Sequence, residues 1–500
     1  MQNRRPDRLS GLRADQVAGA RRMSKPNIAL PNFVLIVADD MGYGDFGVFN
    51  DGHVRTPTLD QLIAGGTCLS QHYAGSPVCS PSRAALLTGR YSIRTGGITP
   101  QEVLGYDRLA LSEITIGDVF KAGGYATGMV GKWHNGALDP RFHPNARGFD
   151  EFAGFRGGWA DYYRWRLDRN GSFEDSDGRY LTDVLTDEAV GFIRRHRGEP
   201  FFLAVTYNAP HSPLQAPDDV VQPYLDMGLN PAVAITYAMI EVMDRGVQLI
   251  PDELAAQGLE PNTVVMFTSD NGPAFMLRAD QVPEGVDIDA RRWNCGYNGA
   301  KGSVYEGGIR VPMVIRWPDG LDGGREISDL IHFTDWLPTL ANIAGIERME
   351  GAPLDGRDVL NVLRGESAAE PPPRYWQWNN YSPIGTSNAA MRDGDWKLVR
   401  PVIDGIRFAT PDDERLAERY VEMDIEYKYH PENVPGIFDW PEPDRIVPEP
   451  PPAELYNIAA DPLEQRDLAS HERERVRKML AELETWFDEV ESERLRIPAV

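Results

Sequence analysis

The stretch SPVCSPSRAALLTGRYSIRTG, residues 76–96, sets Cys79 two residues before Pro81 and four before Arg83. Proline suits the first turn of a helix, so the spacing predicts Cys79 at a helix N-terminus, where free backbone N–H groups and the helix dipole favour an anion. One turn on, Arg83 at i+4 brings its guanidinium back toward the cysteine. Two readings are open. Helix N-termini and arginines both lower a thiol pKa, which suits a reactive thiolate; a buried, inert cysteine is the plainer alternative.

Other residues of chemical interest stand at the ends of apolar runs. NFVLIVADD ends in Asp39 and Asp40, and NTVVMFTSDNG carries Asp270 and Asn271 near its end. Four oxygen side chains of this kind suit a hard divalent cation such as Ca²⁺ or Mg²⁺, although strand-end Asp and Asn also cap turns. In GMVGKWHNG, Lys132 and His134 are two apart, so on an extended segment both point to one side. His211 closes YNAPH, and Lys301 lies in GAKGSVYEGGIRVP, where glycines allow close approach of the backbone to a ligand.

These groups are far apart in sequence, so a fold must bring them together. Past residue 32 the chain alternates short β-branched runs with helical segments, which predicts an α/β fold: a mixed, mostly parallel sheet flanked by helices. TPTLDQLIAGG, SEITIGDVFKAGG and LTDVLTDEAVGFIRRH read as helices, and YATGMVGKWH and PFFLAVTYNAPH as strands. A long helical stretch from Ala232 is interrupted at Pro251. In open α/β sheets ligands gather beyond the carboxyl ends of the strands, where the acids, lysine and histidines fall.

Near residue 365, RGESAAEPPPRYW reads as a proline-rich linker, dividing a body over 33–368 from a smaller C-terminal α+β domain over 369–500. There AAMRDGDWKLVR resembles a hairpin with Asp393 and Gly394 in the turn. HERERVRKMLAELETWFDEVESE places Val476, Met479, Leu480, Leu483, Trp486, Phe487 and Val490 on one helical face. Residues 1–32 read as a disordered tail, with Met23 an alternative start.

A net charge of −24 over 500 residues disfavours nucleic acid or an anionic membrane as the main partner. Cys68, Cys79 and Cys295 offer no disulfide framework. Cys68 reads as a packed small side chain and Cys295 as a candidate for the mouth of the site. No run approaches the roughly 18 apolar residues of a membrane span, and the arginine-bearing first residues lack an apolar stretch behind them. The expectation is a cytoplasmic chain.

Together, CSPSRAALLTGR, VLIVADDMGYGDFG, GKWHNG, NAPHSP, TSDNG, GAKGSVYEGGIRVP and ELYNIAADPLEQRDLA resemble the type I sulfatases over roughly residues 33–490. The resemblance implies an alkaline-phosphatase-like fold and a Cys79 that a maturation enzyme converts to Cα-formylglycine. It implies Ca²⁺, with Mg²⁺ the alternative, on Asp39, Asp40, Asp270 and Asn271, with residue 79 as a further ligand. Arg83, Lys132, His134, His211 and Lys301 then line the sulfate pocket, Lys132, His211 and Lys301 touching substrate. Hydrated formylglycine is a geminal diol: one hydroxyl attacks sulfur and displaces the alcohol, and deprotonation of the second releases sulfate and restores the aldehyde. The family assigns that deprotonation to His134. Asp270 is the candidate acceptor of the first hydroxyl's proton, and His211 and Lys301 are candidate donors to the leaving oxygen.

The acidic surface favours small sulfate monoesters, aryl or sugar, over polyanionic chains. Trp159, Tyr162, Tyr163, Arg164, Trp165 and Arg166 read as a substrate wall or as core, and residues 376–383 as a second edge. A phosphoesterase or phosphonate monoester hydrolase of the same superfamily is the alternative activity. A metal-binding protein without catalysis is the third reading.

Overall fold

Asn32–Ala38 is apolar along both faces because it is buried on both. Val34, Ile36 and Ala38 enter one core cluster and Phe33, Leu35 and Val37 another, as the two-residue period of a strand requires. The first cluster takes in the helices Pro57–Gly65, Leu181–His196 and Pro231–Ala256. The second takes in Cys79–Thr88, Ile116–Ala122 and Trp336–Ile343. A sheet sandwiched between helix layers follows. This computed structural model describes residues 30–347, 351–366 and 369–498. The tail expected over 1–32 lies almost wholly outside them, and residues 31–500 cluster as one compact unit.

The large sheet orders its strands Arg325–Ile327, Thr67–Leu69, Met313–Arg316, Thr263–Ser269, Asn32–Ala38, Phe201–Thr206, Ala126–Lys132, Glu151–Phe155, Arg166–Arg169 and Ser172–Asp175. From Thr263–Ser269 to Glu151–Phe155 neighbours run parallel, and antiparallel pairs flank that run on both sides. Register aligns the carboxyl ends: Ala38 pairs with Ser269, Val37 with Thr206 and Gly131 with Thr206. The residues that follow, Asp39 and Asp40, Asp270 and Asn271, Lys132 and His134, and the segment leading to His211, therefore emerge at one edge.

Pro251 does not interrupt its helix, which runs unbroken from Pro231 to Ala256. A proline there forfeits one backbone hydrogen bond, and burial of Val247, Ile250 and Leu254 on either side holds the helical path.

Beyond residue 370, Arg374–Gln377, Ala389–Asp393, Trp396–Arg400 and Glu454–Asn457 form an antiparallel sheet. Its hairpin closes through Gly394 and Asp395, one residue later than the sequence suggests, since Asp393 pairs directly with Trp396. The helix Arg473–Arg494 lays Met479, Leu483, Trp486 and Val490 into a cluster with Met391, Leu398 and Leu455. The same sheet contributes Trp376, Ala390 and Val399 to a cluster with Tyr73, Val304 and Ile309 of the body. There Lys397 Nζ, fully buried, lies 2.8 Å from both Glu306 Oε1 and Glu464 Oε1. A further helix, Pro411–Tyr429, starts at a Thr410 capping box with Asp413. Among the described residues no helix is long and apolar enough to cross a membrane.

Gly131 sits at φ 106°, where a Cβ would stand 2.0 Å from the Thr206 carbonyl oxygen. Gly131→Ala is expected to cost about 2 kcal/mol or more, and Gly198→Ala, with open space around it, less than about 0.5 kcal/mol. Chemical denaturation midpoints of the two variants check this; equal midpoints would contradict the strand register.

Candidate active site

The strand ends carry a knot of buried charge. Ligand oxygens of Asp39, Asp40 and Asp270 converge to within 4.8 Å of one another, as do an Asp39 oxygen, Cys79 Sγ and a His211 ring nitrogen. Each carboxylate meets a cation. Lys132 Nζ is 2.6 Å from Asp39 Oδ2, Lys301 Nζ 2.7 Å from Asp40 Oδ1, and Arg83 Nε 2.8 Å from Asp270 Oδ2. Asn271 Nδ2 donates to Asp40 Oδ1 over 2.7 Å. Asp39, Asp40, Asp270, Asn271, Lys132, Lys301 and Arg83 thus meet at the strand ends, and Cys79, Asp40, His134, His211 and Lys301 line a single cleft of about 290 Å³.

Asp40 takes the left-handed conformation, φ 68°, unusual for a non-glycine residue and held here from both sides. Its N–H faces Asp270 Oδ1 at 3.3 Å, and its carbonyl accepts from Arg292 Nη2 over 2.9 Å. Arg292 is itself fixed by Asp45, with Nε 2.6 Å from Oδ1.

The donor set fits a hard cation. Asp39 Oδ1 and Asn271 Oδ1 are buried without a hydrogen-bond partner, and a buried oxygen left unpaired is costly unless something occupies it. Burial, reinforced by the Asp270 and Asp40 charges, pushes Asp39 up to about 8; Lys132 opposes this. Burial also works against the ionised form of Asp40, yet Lys301 and His211 hold that carboxyl below the usual range. An oxygen-rich site with carboxylates forced together is one a divalent cation would relieve.

Cys79 opens the helix Cys79–Thr88 as the sequence suggests and is 2% exposed. Burial pushes its thiol up despite the nearby Lys132 and Lys301 charges. The activated thiolate reading is therefore overturned: desolvation outweighs helix dipole and cations. Arg83 is turned to Asp270 and to the Lys132 carbonyl, the latter 3.2 Å from its Nη1. It thus couples the helix to two strand ends.

The two histidines differ. His211 Nδ1 lies 2.6 Å from the Ser212 carbonyl, which can only accept, so that nitrogen carries the proton and Nε2 faces Asp40 Oδ2 at 3.7 Å. His134, at φ 52°, sets Nε2 3.2 Å from the Pro100 carbonyl, leaving Nδ1 buried, unpartnered and free to accept a proton. Burial first, then neighbouring lysines, hold both imidazoles well below their ordinary pKa.

Sequence reasoning missed the support around His134. Glu102 Oε1 stands 3.6 Å from His134 Nε2, accepts from the Gly158 N–H over 2.6 Å and pairs with Lys428. Asp424, one turn before Lys428, accepts from the Val103 N–H over 3.0 Å. Both come from the Pro411–Tyr429 helix, whose charged sequence carries no signal of contact with residues 100–103.

The expected aromatic wall divides. Trp159 lines the cleft, Tyr162 and Trp165 belong to the core, and Tyr163 stacks obliquely on Tyr180. Arg164 is exposed and Arg166 lies over Phe173. Residues 376–383 line a separate cavity through Trp378, Asn379, Asn380 and Tyr381. Cys68 is half-buried in the Thr67–Leu69 strand, and Cys295 lies against the Phe49 carbonyl, not in the cleft lining.

Comparison with known proteins agrees with this architecture. The Sulfatase family model matches residues 31–346, and the N-sulphoglucosamine sulphohydrolase C-terminal model matches residues 297–412. Mouse (Mus musculus) arylsulfatase J is 30% identical over 91% of this chain and 75% of its own length. Mouse steryl-sulfatase is 32% identical over 67% of this chain and 65% of its own length. The structure of Ps i-CgsB in complex with k-i-k-neocarrahexaose superposes with a TM-score of 0.73 at 30% identity, covering 91% of this chain and 92% of that one. The phosphonate monoester hydrolase of Agrobacterium radiobacter shares the fold at a TM-score of 0.58 and 19% identity, over 93% and 96% of the two chains. A family match that spans most of the large sheet, and relatives matched beyond it, make this chain a member of the sulfatase family, the sulfuric ester hydrolases.

Proposed function

We propose that the chain cleaves sulfate monoesters with a Cα-formylglycine derived from Cys79 and a Ca²⁺ ion held by Asp39, Asp40, Asp270 and Asn271. The observation that carries the reading is the place of Asp39, whose oxygens lie within 4.8 Å of those of Asp40 and Asp270 in one group and of Cys79 Sγ and a His211 ring nitrogen in another. Formylglycine supplies, as its hydrate, a hydroxyl nucleophile and a second hydroxyl whose loss of a proton frees the product. The cation supplies charge for the sulfuryl oxygens and lowers the pKa of a bound hydroxyl.

The remaining work falls to side chains. Lys301 and Lys132 offset charge on the sulfuryl oxygens, and Arg83 fixes Asp270 so that its carboxylate can take a proton from the attacking hydroxyl. His134, with Nδ1 free, accepts the proton whose removal releases sulfate. Lys301 is the donor to the leaving oxygen: the Asp40 carboxylate holds its ammonium protonated against burial. His211 keeps its proton on the Ser212 side and presents Nε2 to the substrate.

Maturation precedes packing. Cys79, Pro81 and Arg83 are all buried, so an enzyme that reads this motif reaches it only before the helix docks. Sulfated aryl and sugar compounds both remain within the substrate class; the relatives include proteins named for steryl and N-acetylgalactosamine-6-sulfate esters.

In protein made with a maturation enzyme, the tryptic peptide from Thr56 to Arg83 is expected to lose about 18 Da at Cys79, with Cys68 in the same peptide unchanged. Fragment-ion mass spectrometry checks this, and an intact thiol in active protein would overturn the nucleophile. The matured chain should turn over p-nitrophenyl sulfate faster than p-nitrophenyl phosphate; the reverse order would make it a phosphoesterase. His134→Ala should lower kcat on the sulfate by roughly 10²–10⁴-fold with formylglycine content unchanged.

A further expectation concerns pH. Folded Asp39 binds its proton more tightly than the unfolded carboxyl, so its share of cation-free stability is present at acid pH and is lost as pH rises from about 4 through about 8. A cation favours the ionised form and reverses that loss. The rise in Tm on adding millimolar Ca²⁺ to chelator-treated protein should therefore grow between about pH 5 and pH 8. A Ca²⁺ increment that is flat or falling over that range would refute the carboxylate site.

A further inference from the structure

His134 takes up its proton in a place that disfavours positive charge. Its side chain is 2% exposed, and beyond burial itself the charges of Lys132, Lys428 and Arg83 all bear on the ring. An imidazolium formed there is enclosed among cations, and a buried charge without a counter-charge is strongly disfavoured. Nδ1 is the nitrogen that gains the proton, since Nε2 already donates its own toward the Pro100 carbonyl. The step forms an Nδ1–H bond as the O–H bond of the hydroxyl that frees sulfate breaks, and it leaves one full positive charge on the ring.

Glu102 is the carboxylate that reaches this ring. Its Oε1 stands 3.6 Å from Nε2, the nitrogen other than the one that gains the proton, and its side chain is as deeply buried as the histidine. Opposite charges so placed attract strongly because little water screens them. The carboxylate is also held in place. The Gly158 N–H donates to Oε1 over 2.6 Å, Lys428 pairs with the same oxygen, and the Asp424 carboxyl hydrogen-bonds Glu102. Burial, reinforced by the Glu102 charge, keeps Asp424 well above the usual carboxylate range, so it joins the group uncharged. The backbone fits the same group closely. A Cβ on Gly158 would stand 2.7 Å from His134 Cε1 and 3.2 Å from Glu102 Oε1, and one on Gly157 would stand 2.8 Å from Lys428 Nζ. Two successive glycines thus let this loop close over ring, carboxylate and ammonium together. Glu102, Asp424 and Lys428 all line the catalytic cleft beside His134, so the group borders the reacting space.

We propose that Glu102 is a positioning residue for the release of sulfate: it steadies the Nε2–H side of His134 and offsets the charge the imidazole acquires, while Lys428 of the Pro411–Tyr429 helix anchors the carboxylate and limits its pull on the ring. This rests on the reading of His134 as the acceptor of that proton. The arrangement follows the logic of a base oriented by a third group, with the carboxylate keeping its own charge throughout. An ion pair that only clipped the helix to residues 100–103 would require no contact with the ring.

The test uses Glu102→Gln, which keeps the size of the side chain and an acceptor for the Gly158 N–H while removing the charge. In matured protein its kcat on p-nitrophenyl sulfate should fall roughly 10–100-fold, with kcat/KM within about twofold of wild type, because the phenol departs before the slowed step. For the same reason p-nitrophenol should appear in a burst of about one per active site. Lys428→Met breaks the same ion pair but spares the carboxylate, and its loss of kcat should be several-fold smaller. Equal losses in the two variants, or a Glu102→Gln loss without a burst, overturns the proposal. Proton NMR of the unmatured chain tests the contact without turnover. The His134 imidazole N–H resonance, assigned by its absence in His134→Ala, should move upfield in Glu102→Gln and downfield in Lys428→Met, and one position in wild type and both variants overturns the proposal. Matured His134→Ala that turns over p-nitrophenyl sulfate at the wild-type rate would instead refute the reading of His134 on which the proposal rests.

Discussion

Three carboxylates buried at the ends of adjacent strands are the constraint around which this molecule is arranged. Asp39, Asp40 and Asp270 are almost wholly removed from water, and like charges so placed repel strongly unless offset. Lys132, Lys301 and Arg83 each answer one of them. The offset is incomplete, as the unpartnered oxygens of Asp39 and Asn271 and the raised Asp39 carboxyl record. A site whose buried oxygens are left unpaired in this way favours a cation, and the basic groups already present favour an anion beside it.

The fold supplies the rigidity that such crowding needs. A central strand packed on both faces, with its neighbours in fixed register, leaves the strand ends little freedom to separate. Left-handed backbone at Asp40 and His134 is held by surrounding contacts, including Arg292 on the Asp40 carbonyl. The C-terminal residues are part of the same construction. Lys397 enters a fully buried cluster with Glu306, close behind the Lys301 loop, and Lys428 reaches back to Glu102 beside His134.

Cys79 shows how burial decides chemistry. Its place at a helix N-terminus near lysines and Arg83 would, in water, favour a thiolate, but desolvation dominates and the sulfur stays protonated. A strongly acidic exterior is compatible with this interior, because the few basic groups that matter are enclosed with their partners.

Much of this was legible in the chain itself. Apolar runs ending in Asp39–Asp40 and Asp270–Asn271 mark strands and the side of the sheet where polar groups collect, since alternation and strand-end position are local properties. The cysteine motif and the segments around Lys132, His134, His211 and Lys301 carry a family resemblance for the same reason: each lies within a short segment. Tertiary structure decided what depends on distant packing. It set Arg83 against Asp270, sent Tyr162 and Trp165 into the core, kept Pro251 inside a helix and placed residues 376–383 in a neighbouring cavity. It also brought Glu102 and Lys428, more than three hundred residues apart, to the edge of the His134 ring. No local periodicity encodes such a meeting, because it is fixed by how whole layers dock.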